Sequence, residues 1–531
     1  MLELNEQGLR DRAAWEAAGY ALPRFDRAEM LRETERAPRW VHFGAGNIFK
    51  AFQAVEAQKL LDSGLLRSGV VAVERAASPE KIASYAEHDN LTVLVTLKSD
   101  GSVEKTVVGS IAEVRWLLSA DKAETARLRE VFTAPSLQLA SFTITEKGYR
   151  TDGAEGDLAA GPGGAESYWG RVAALLFARW QVNAAPLAMV SMDNCSHNGD
   201  KLRDAVLYFA RGWAERGLVP EGFVAYLTEK VSFPWTMIDK ITPAPDAAVA
   251  ELLRADGLAL ASSVTERGTH IAPFVNAEES EYLVVEDDFP NGRPPLEQTG
   301  VLFTDRDTVS RAERMKVCTC LNPLHTALAV SGCLLGYTRI SEEMKDPELV
   351  RLVRGVGYDE GLPVVTDPGV IDPRAFLDTV VNVRVPNPFL PDTPQRIATD
   401  TSQKIPIRFG ETIRSYAEQP GRDVTALTCI PLAIALWLRY LLAVDDALRP
   451  FACSPDPMLG ELQGLLSGVR VGTPESVSDA LLAPILSNQS LFTVDLVELG
   501  LAPKIGGMLR ELLAGPGAVR ATLKKYTADM P

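Results

Sequence analysis

The stretch that most restricts the fold runs from Trp40 to Glu74: a strand, a glycine turn, a helix, a second strand and a closing acid in unbroken order. Trp40-Val41-His42-Phe43 is a short apolar run that leads directly into Gly44-Ala45-Gly46-Asn47-Ile48-Phe49. Apolar positions then recur at helical spacing through Ile48, Phe52, Val55 and Leu60, and stop at the turn signal Asp62-Ser63-Gly64. Gly69-Val70-Val71-Ala72-Val73 reads as a strand that ends in Glu74. A glycine turn between strand and helix lets the backbone approach a pyrophosphate at the helix N-terminus, and an acid at the end of the next strand accepts hydrogen bonds from a ribose. Gly44, Gly46, Asn47, Ile48 and Phe49 are therefore the candidate dinucleotide-facing residues, with Glu74 the candidate ribose ligand. A carboxylate there repels a 2′-phosphate, so NAD is expected over NADP, with Arg75 beside it acting against that preference. The motif departs from G-x-G-x-x-G by placing Phe49 where the third glycine would stand, and its acid comes about 30 residues on instead of about 20.

Apolar runs continue at Leu91 to Leu97, Thr106 to Ile111, Leu137 to Thr145 and Leu187 to Met192, partly alternating with helical patterns such as Trp169 to Trp180. That alternation predicts an α/β domain with a mainly parallel sheet. Two of these strands end in polar clusters, one holding Thr145, Glu146 and Lys147, the other Asp193, Asn194, His197 and Asn198. Ligands of open α/β sheets lie beyond the carboxyl ends of the strands, although turn chemistry accounts for the same residue types. Asp239 and Lys240, between apolar residues and prolines, read either as a structural ion pair or as part of a site. The Gly/Ala-rich stretch 153–165 reads as a surface loop. Composition changes after Asn291-Gly292-Arg293-Pro294-Pro295, and helical periodicity dominates from about Asp307. The expected organisation is a Rossmann-type domain with an N-terminal extension over 1–305 and a mostly α-helical domain over 306–531, with the active site in the cleft between them.

Within a helical pattern from Arg311 to Leu335, the segment Lys316-Val317-Cys318-Thr319-Cys320-Leu321-Asn322-Pro323-Leu324-His325 gathers three groups able to hold and deprotonate a hydroxyl. Asn322 and His325 share a helical face, and Lys316 is long enough to reach back toward them. A lysine among apolar neighbours is desolvated toward the pKa range of a useful base. Further on, Arg396, Lys404 and Arg408 lie within thirteen residues, interleaved with hydroxyls and amides; they either neutralise a carboxylate substrate or form a solvated basic face.

The formal charge of -16 excludes a general nucleic-acid or anionic-membrane surface, so an anionic substrate needs a local cationic site. Six cysteines without a paired framework imply reduced thiols in a cytoplasmic protein. The apolar run Leu427 to Val444 contains Pro431 and Arg439 and reads as a buried helix, not a membrane span.

Taken in order, the glycine turn, Thr143-Ile144-Thr145-Glu146-Lys147-Gly148-Tyr149, Asp193-Asn194 with Asn198-Gly199, Phe233-Pro234 to Pro243, Asn291-Gly292-Arg293-Pro294, the Lys316 helix and Ser402-Gln403-Lys404 resemble the polyol-specific long-chain dehydrogenase (mannitol dehydrogenase) family. The resemblance covers most of residues 22–410. It implies NAD-dependent hydride transfer without a metal, with Lys316 as general acid/base and with Asn194, Asn322 and His325 holding the reacting oxygen. It further implies that Glu313 passes the proton to solvent and that Arg396 and Lys404 line the substrate pocket. Lys147 and the segment from Ser402 to Arg408 are more similar to the fructuronate reductases of the family, which implies a keto-uronate and its aldonate alcohol, fructuronate and mannonate. The alternatives are a mannitol 2-dehydrogenase or tagaturonate reductase activity, or, from another class, an NAD-binding epimerase or sensor without net redox turnover. The family commonly spaces its motif Lys-x4-Asn-x2-His, whereas five residues separate Lys316 from Asn322 here. An extra residue turns the lysine by about 100° unless a π-bulge absorbs it, so a π-bulge is predicted there.

Overall fold

Four runs of the N-terminal half are apolar without alternation, the pattern of strands covered on both faces. In the computed structural model, which describes residues 1–260, 263–264 and 270–528, they are β1 (Trp40–Phe43), β2 (Val70–Glu74), β4 (Leu139–Phe142) and β5 (Leu187–Ser191), joined by β3 (Ile111–Trp116) and the short β6 (Val231–Ser232). The six form one sheet in the order β3-β2-β1-β4-β5-β6, every neighbouring pair parallel. This is the doubly wound dinucleotide-binding order, and its topological switch lies between β1 and β4. Phe43 and Phe142 are paired across that switch with their rings stacked at 4.6 Å. α1 (Ala54–Asp62) follows β1 and α2 (Pro79–Glu87) follows β2. A mixed sheet of Tyr20–Ala21, Val103–Val108, Thr92–Leu97 and Phe274–Glu278, in that order, lies in the same unit.

The run Thr106 to Ile111, expected as one strand, is where two strands meet. Val103–Val108 ends before Gly109 and β3 begins at Ile111 because the intervening backbone is taken up elsewhere: Gln58 accepts from the Gly109 N–H (2.7 Å), and the Arg27 Nε donates to the Gly109 carbonyl (2.9 Å). The stretch 153–165, expected as loop, contains the helix Glu155–Ala160. Asp157 accepts from the Glu166 and Ser167 N–H groups (3.0 and 2.8 Å), and the Trp213 indole donates to its carbonyl (2.8 Å), so the segment is tied to the domain.

The chain divides into two units, the first built on Met1–Lys98 and Ser102–Ser310, the second on Arg311–Pro531. The second is helical. α4 (Asn322–Leu335), α5 (Cys429–Tyr440) and α6 (Ala502–Leu512) supply its core, and every residue of α5 is buried. Arg439 within α5 is wholly buried, with its guanidinium spent on the Val444 (2.6 Å), Asp445 (3.2 Å) and Leu512 (3.3 Å) carbonyls. The span Arg306–Leu335 is long and apolar enough to cross a membrane, but 83% of its most apolar window is buried inside the protein, so that apolarity serves a core.

Arg311 to Leu335 is not one regular helix. α3 (Arg306–Arg314) gives way to a π turn, Met315–Cys320, and α4 starts after a break at Leu321 (φ -125°, ψ -62°). The Leu321 N–H donates to the Lys316 carbonyl at 3.0 Å, a five-residue step in place of four. Pro323 in the first turn of α4 has no N–H to leave unsatisfied.

Candidate active site

In the first unit the glycine turn is conformationally specified. Gly44 has φ 101°, and a Cβ there would lie 2.5 Å from the Thr143 carbonyl at the end of β4. At Gly46 a Cβ would meet nothing within 4 Å, so the turn is open toward a cavity of about 310 Å³ that Gly44, Gly46, Asn47 and Ile48 help to line. The first N–H groups of the following helix have no partner within the helix. Open backbone donors at a helix N-terminus beside a switch point suit a pyrophosphate.

Phe49 corrects the expectation. It is fully buried, stacked on His42 at 4.1 Å and 9°, and offers a ligand only its backbone. The helix opens at this point into a π turn, Phe49–Gln53, which seats a phenyl ring where a third glycine would let helix and strand approach. His42 is structural: its ring nitrogens meet Ser141 Oγ (2.7 Å) and Thr143 Oγ1 (3.0 Å), and burial pushes it down to about 3, a neutral imidazole. Glu74 lines the cavity, but its carboxylate already pairs with Lys81 Nζ (2.8 Å) and accepts from the Tyr85 hydroxyl (3.4 Å). Arg75 is exposed and is not among the residues lining the cavity.

The polar cluster after β4 folds as the short 3-10 turn Glu146–Tyr149. Thr145, Glu146 and Lys147 are exposed, with Glu146 paired to Lys201 (2.8 Å), while Thr143 lines the cavity. Tyr149, a residue the sequence did not single out, sends its hydroxyl to Asp193 (2.6 Å). Asp193 in turn caps the Cys195 N–H (3.0 Å), and Asn198 binds Thr236 Oγ1 (2.9 Å). The cluster after β5 therefore divides: Asp193 and Asn198 hold the loop, and Asn194 is exposed on it. Asp239 is buried at the end of the strand Thr236–Asp239, and Lys240 pairs with Glu281 (2.8 Å).

In the second unit Lys316 sits on the π turn, only 7% exposed. Met315, Cys318, Thr319 and Cys320 of the turn are buried with it, and burial pushes the Cys318 and Cys320 thiols up to about 12. Thr412 Oγ1 donates to the Cys318 carbonyl (3.1 Å), supplying a partner to a carbonyl in the widened turn. Asn322 opens α4 and His325 follows one turn later, both partly buried; Glu313 lies partly buried on α3.

His325 is pushed down to about 4, first by burial and then by the Arg408, Arg384 and Arg396 charges, against the opposing Asp392. It is a neutral hydrogen-bonding group near pH 7. Arg408 binds Thr326 Oγ1 on α4 (2.7 Å), and burial lowers it to about 10. Lys404 donates to the Ile397 (3.2 Å) and Thr399 carbonyls, and burial followed by the Arg408 charge brings it to about 8. Arg396 is the most open of the set, with 63% of its side chain exposed, and is bonded to Asp392. Arg384, 2% exposed on a further π turn, Val380–Arg384, and Asp392 were not read from the sequence. The signals were present: a lone cation in an apolar run, and an acid four residues before Arg396.

Residues 38–298 match the mannitol dehydrogenase Rossmann domain, and residues 308–500 match the mannitol dehydrogenase C-terminal domain. A D-mannonate oxidoreductase of Thermotoga maritima is 49% identical, covering 99% of each chain. Among solved structures, a D-sorbitol dehydrogenase in substrate-free form aligns with TM-score 0.79 at 26% identity, over 95% of this chain and 98% of that one. The Pseudomonas fluorescens mannitol 2-dehydrogenase, in ternary complex with NAD and D-mannitol, aligns with TM-score 0.69 at 28% identity over 99% of each. With a Rossmann sheet in the first unit and a helical second unit carrying the lysine, asparagine and histidine, the chain belongs to the mannitol dehydrogenase family and is a dehydrogenase acting on a CH–OH group.

Proposed function

We propose that this enzyme interconverts a keto-uronate, D-fructuronate, and its aldonate alcohol, D-mannonate, with NAD as coenzyme. The observation that carries the substrate class is the charge around His325, three arginines against one aspartate, in a chain with a D-mannonate oxidoreductase relative at 49% identity. Such an excess of cations suits a sugar that carries a carboxylate, since a hydrogen bond between charged groups contributes about 1.5 to 3 kcal/mol. Arg396, Lys404 and Arg408 are assigned to that carboxylate, with Lys147 and Asp239 as further substrate contacts.

A nicotinamide coenzyme whose pyrophosphate is held at the glycine turn would supply the hydride acceptor for the alcohol carbon, or the hydride donor for the ketone. Lys316 exchanges the proton with the substrate oxygen, and Glu313 relays it to solvent. Asn194 and Asn322 donate hydrogen bonds to the oxygen as negative charge develops, each contributing about 2.7 to 4 kcal/mol in comparable oxyanion sites. His325, neutral at the working pH, orients the same oxygen. Gly44, Gly46, Asn47 and Ile48 would cradle the pyrophosphate, the Phe49 backbone would complete the turn, and Thr145, Glu146 and Arg75, all exposed, would border the coenzyme from outside the cavity lining.

The test is reduction of a panel of ketones with NADH, followed at its absorbance band. Fructuronate should exceed fructose and tagaturonate in kcat/KM; a preference for fructose would return a neutral-polyol enzyme, and binding without turnover would return an epimerase or sensor. Arg396→Ala should lose keto-uronate affinity more than fructose affinity.

A further inference from the structure

The adenosine end of the coenzyme cavity carries more positive charge than an NAD-selective acid requires. Among the described residues Glu74, at the end of β2, is the one acid in the cavity lining, and it shares that lining with two ammonium groups, Lys50 and Lys81. Lys81, from α2, holds Glu74 Oε2 at 2.8 Å, with the lysine side chain 24% and the glutamate side chain 13% exposed. Lys50, on the π turn Phe49–Gln53, stands 4.9 Å over the Tyr85 ring, and the Tyr85 hydroxyl reaches Glu74 Oε1 at 3.4 Å. Among the described residues the Lys50 ammonium makes no hydrogen bond or ion pair. Burial pushes it down to about 8, with Glu74 opposing and Lys81 adding to the fall. A cation brought beside a second cation without an acceptor is a group that lacks its anion.

We propose that Lys50 and Lys81 form a 2′-phosphate subsite superimposed on the Glu74 ribose subsite, so that the enzyme binds NADPH as well as NADH. With NADH, Glu74 accepts from the ribose diol and remains paired with Lys81. With NADPH, the 2′-phosphate replaces the carboxylate as the partner of Lys81 and supplies Lys50 with its acceptor. The repulsion that an acid at this place exerts on a 2′-phosphate is thereby offset by cations already held against it. The inference rests on the nicotinamide-coenzyme reading above and concerns only which coenzymes the site accepts.

Calorimetric titration of the full chain with NADH, NADPH, 5′-AMP and adenosine 2′,5′-bisphosphate separates the two readings without turnover. Wild type should bind NADPH within about tenfold of NADH, and the bisphosphate more tightly than 5′-AMP. Lys50→Met and Lys81→Met should each weaken NADPH by about tenfold or more, as expected for loss of one charge-assisted contact, and NADH by less than about threefold. NADH binding with NADPH more than about a hundredfold weaker overturns the proposal. Equal losses for both coenzymes in Lys50→Met also overturn it, and would move Lys50 to the pyrophosphate. Failure of both coenzymes to bind would instead sink the nicotinamide reading itself. Circular dichroism of each variant checks that a loss is not a folding defect.

Discussion

Two π turns carry residues of the proposed coenzyme and proton-transfer sites, and they depart from the expected sequence in opposite ways. Phe49–Gln53 follows a substitution: a phenyl ring stands where the motif has glycine, and the widened helix seats it against His42. Met315–Cys320 goes with a longer spacing: five residues lie between Lys316 and Asn322, one more than the resemblance leads one to expect, and the five-residue step of the turn accommodates it. In the first case the unusual residue is buried and its neighbours, Ile48 and Lys50, line the cavity. In the second the unusual turn carries Lys316, the residue proposed for proton transfer. A π turn can therefore protect a packing contact or a catalytic register, and the two uses respond differently to mutation.

The largest effect is expected at Lys316. Lys316→Ala should lower kcat by about a hundredfold to ten-thousandfold, the usual range for a lost general acid/base, with NADH affinity unchanged by titration; near-full activity would remove the proton-transfer role. Next comes the turn around it. Inserting one alanine after Val317 adds a residue the turn has not absorbed and should swing Lys316 by about 100°, bringing kcat close to the level of Lys316→Ala. Deleting Val317 should leave kcat within about tenfold of wild type, because a regular helix then restores the same facing; equal damage from both changes would contradict the absorbed-insertion account.

Phe49→Ala tests the other turn. It should destabilise the first unit by about 3 to 5 kcal/mol in urea unfolding, the range for emptying a buried aromatic site, and change NADH affinity by only a few-fold. A large affinity loss with unchanged stability would make Phe49 a ligand-facing residue after all.

The smallest effect concerns pH. The folded pKa of His325 is depressed to about 4, below the ordinary value of about 6.5. Between those values the unfolded chain binds a proton that the folded chain does not, so stability is full above the upper value and falls as pH drops through the window. His325→Asn should make the decline in Tm between pH 6.5 and 4.5 shallower by up to one proton, a slope that scanning calorimetry reads directly.

Much of the first unit was legible because buried parallel strands are written as continuous apolar runs and turns as glycine. A mainly parallel sheet was implied by that alternation, whereas the break at Gly109 was not, since it depends on Gln58 and Arg27 reaching in from elsewhere. The π turn at Lys316 could be anticipated by counting residues against a spacing. The one at Phe49 could not, because a substitution leaves the count unchanged. Pairings between elements were the least legible: neither Glu74 with Lys81 nor Tyr149 with Asp193 has a local signature, and each changes how a candidate residue is read.

The two thiols flanking Thr319 give the lysine turn a clock. Cys318 is 8% exposed and Cys320 fully buried, and both are held far from thiolate formation. A disulfide reagent can modify them only when the widened turn opens to solvent, so their rate of labelling measures how often the segment that positions Lys316 comes apart. Substrate and coenzyme that tighten this segment would slow the clock, which makes ligand engagement readable in an unmodified protein without following turnover.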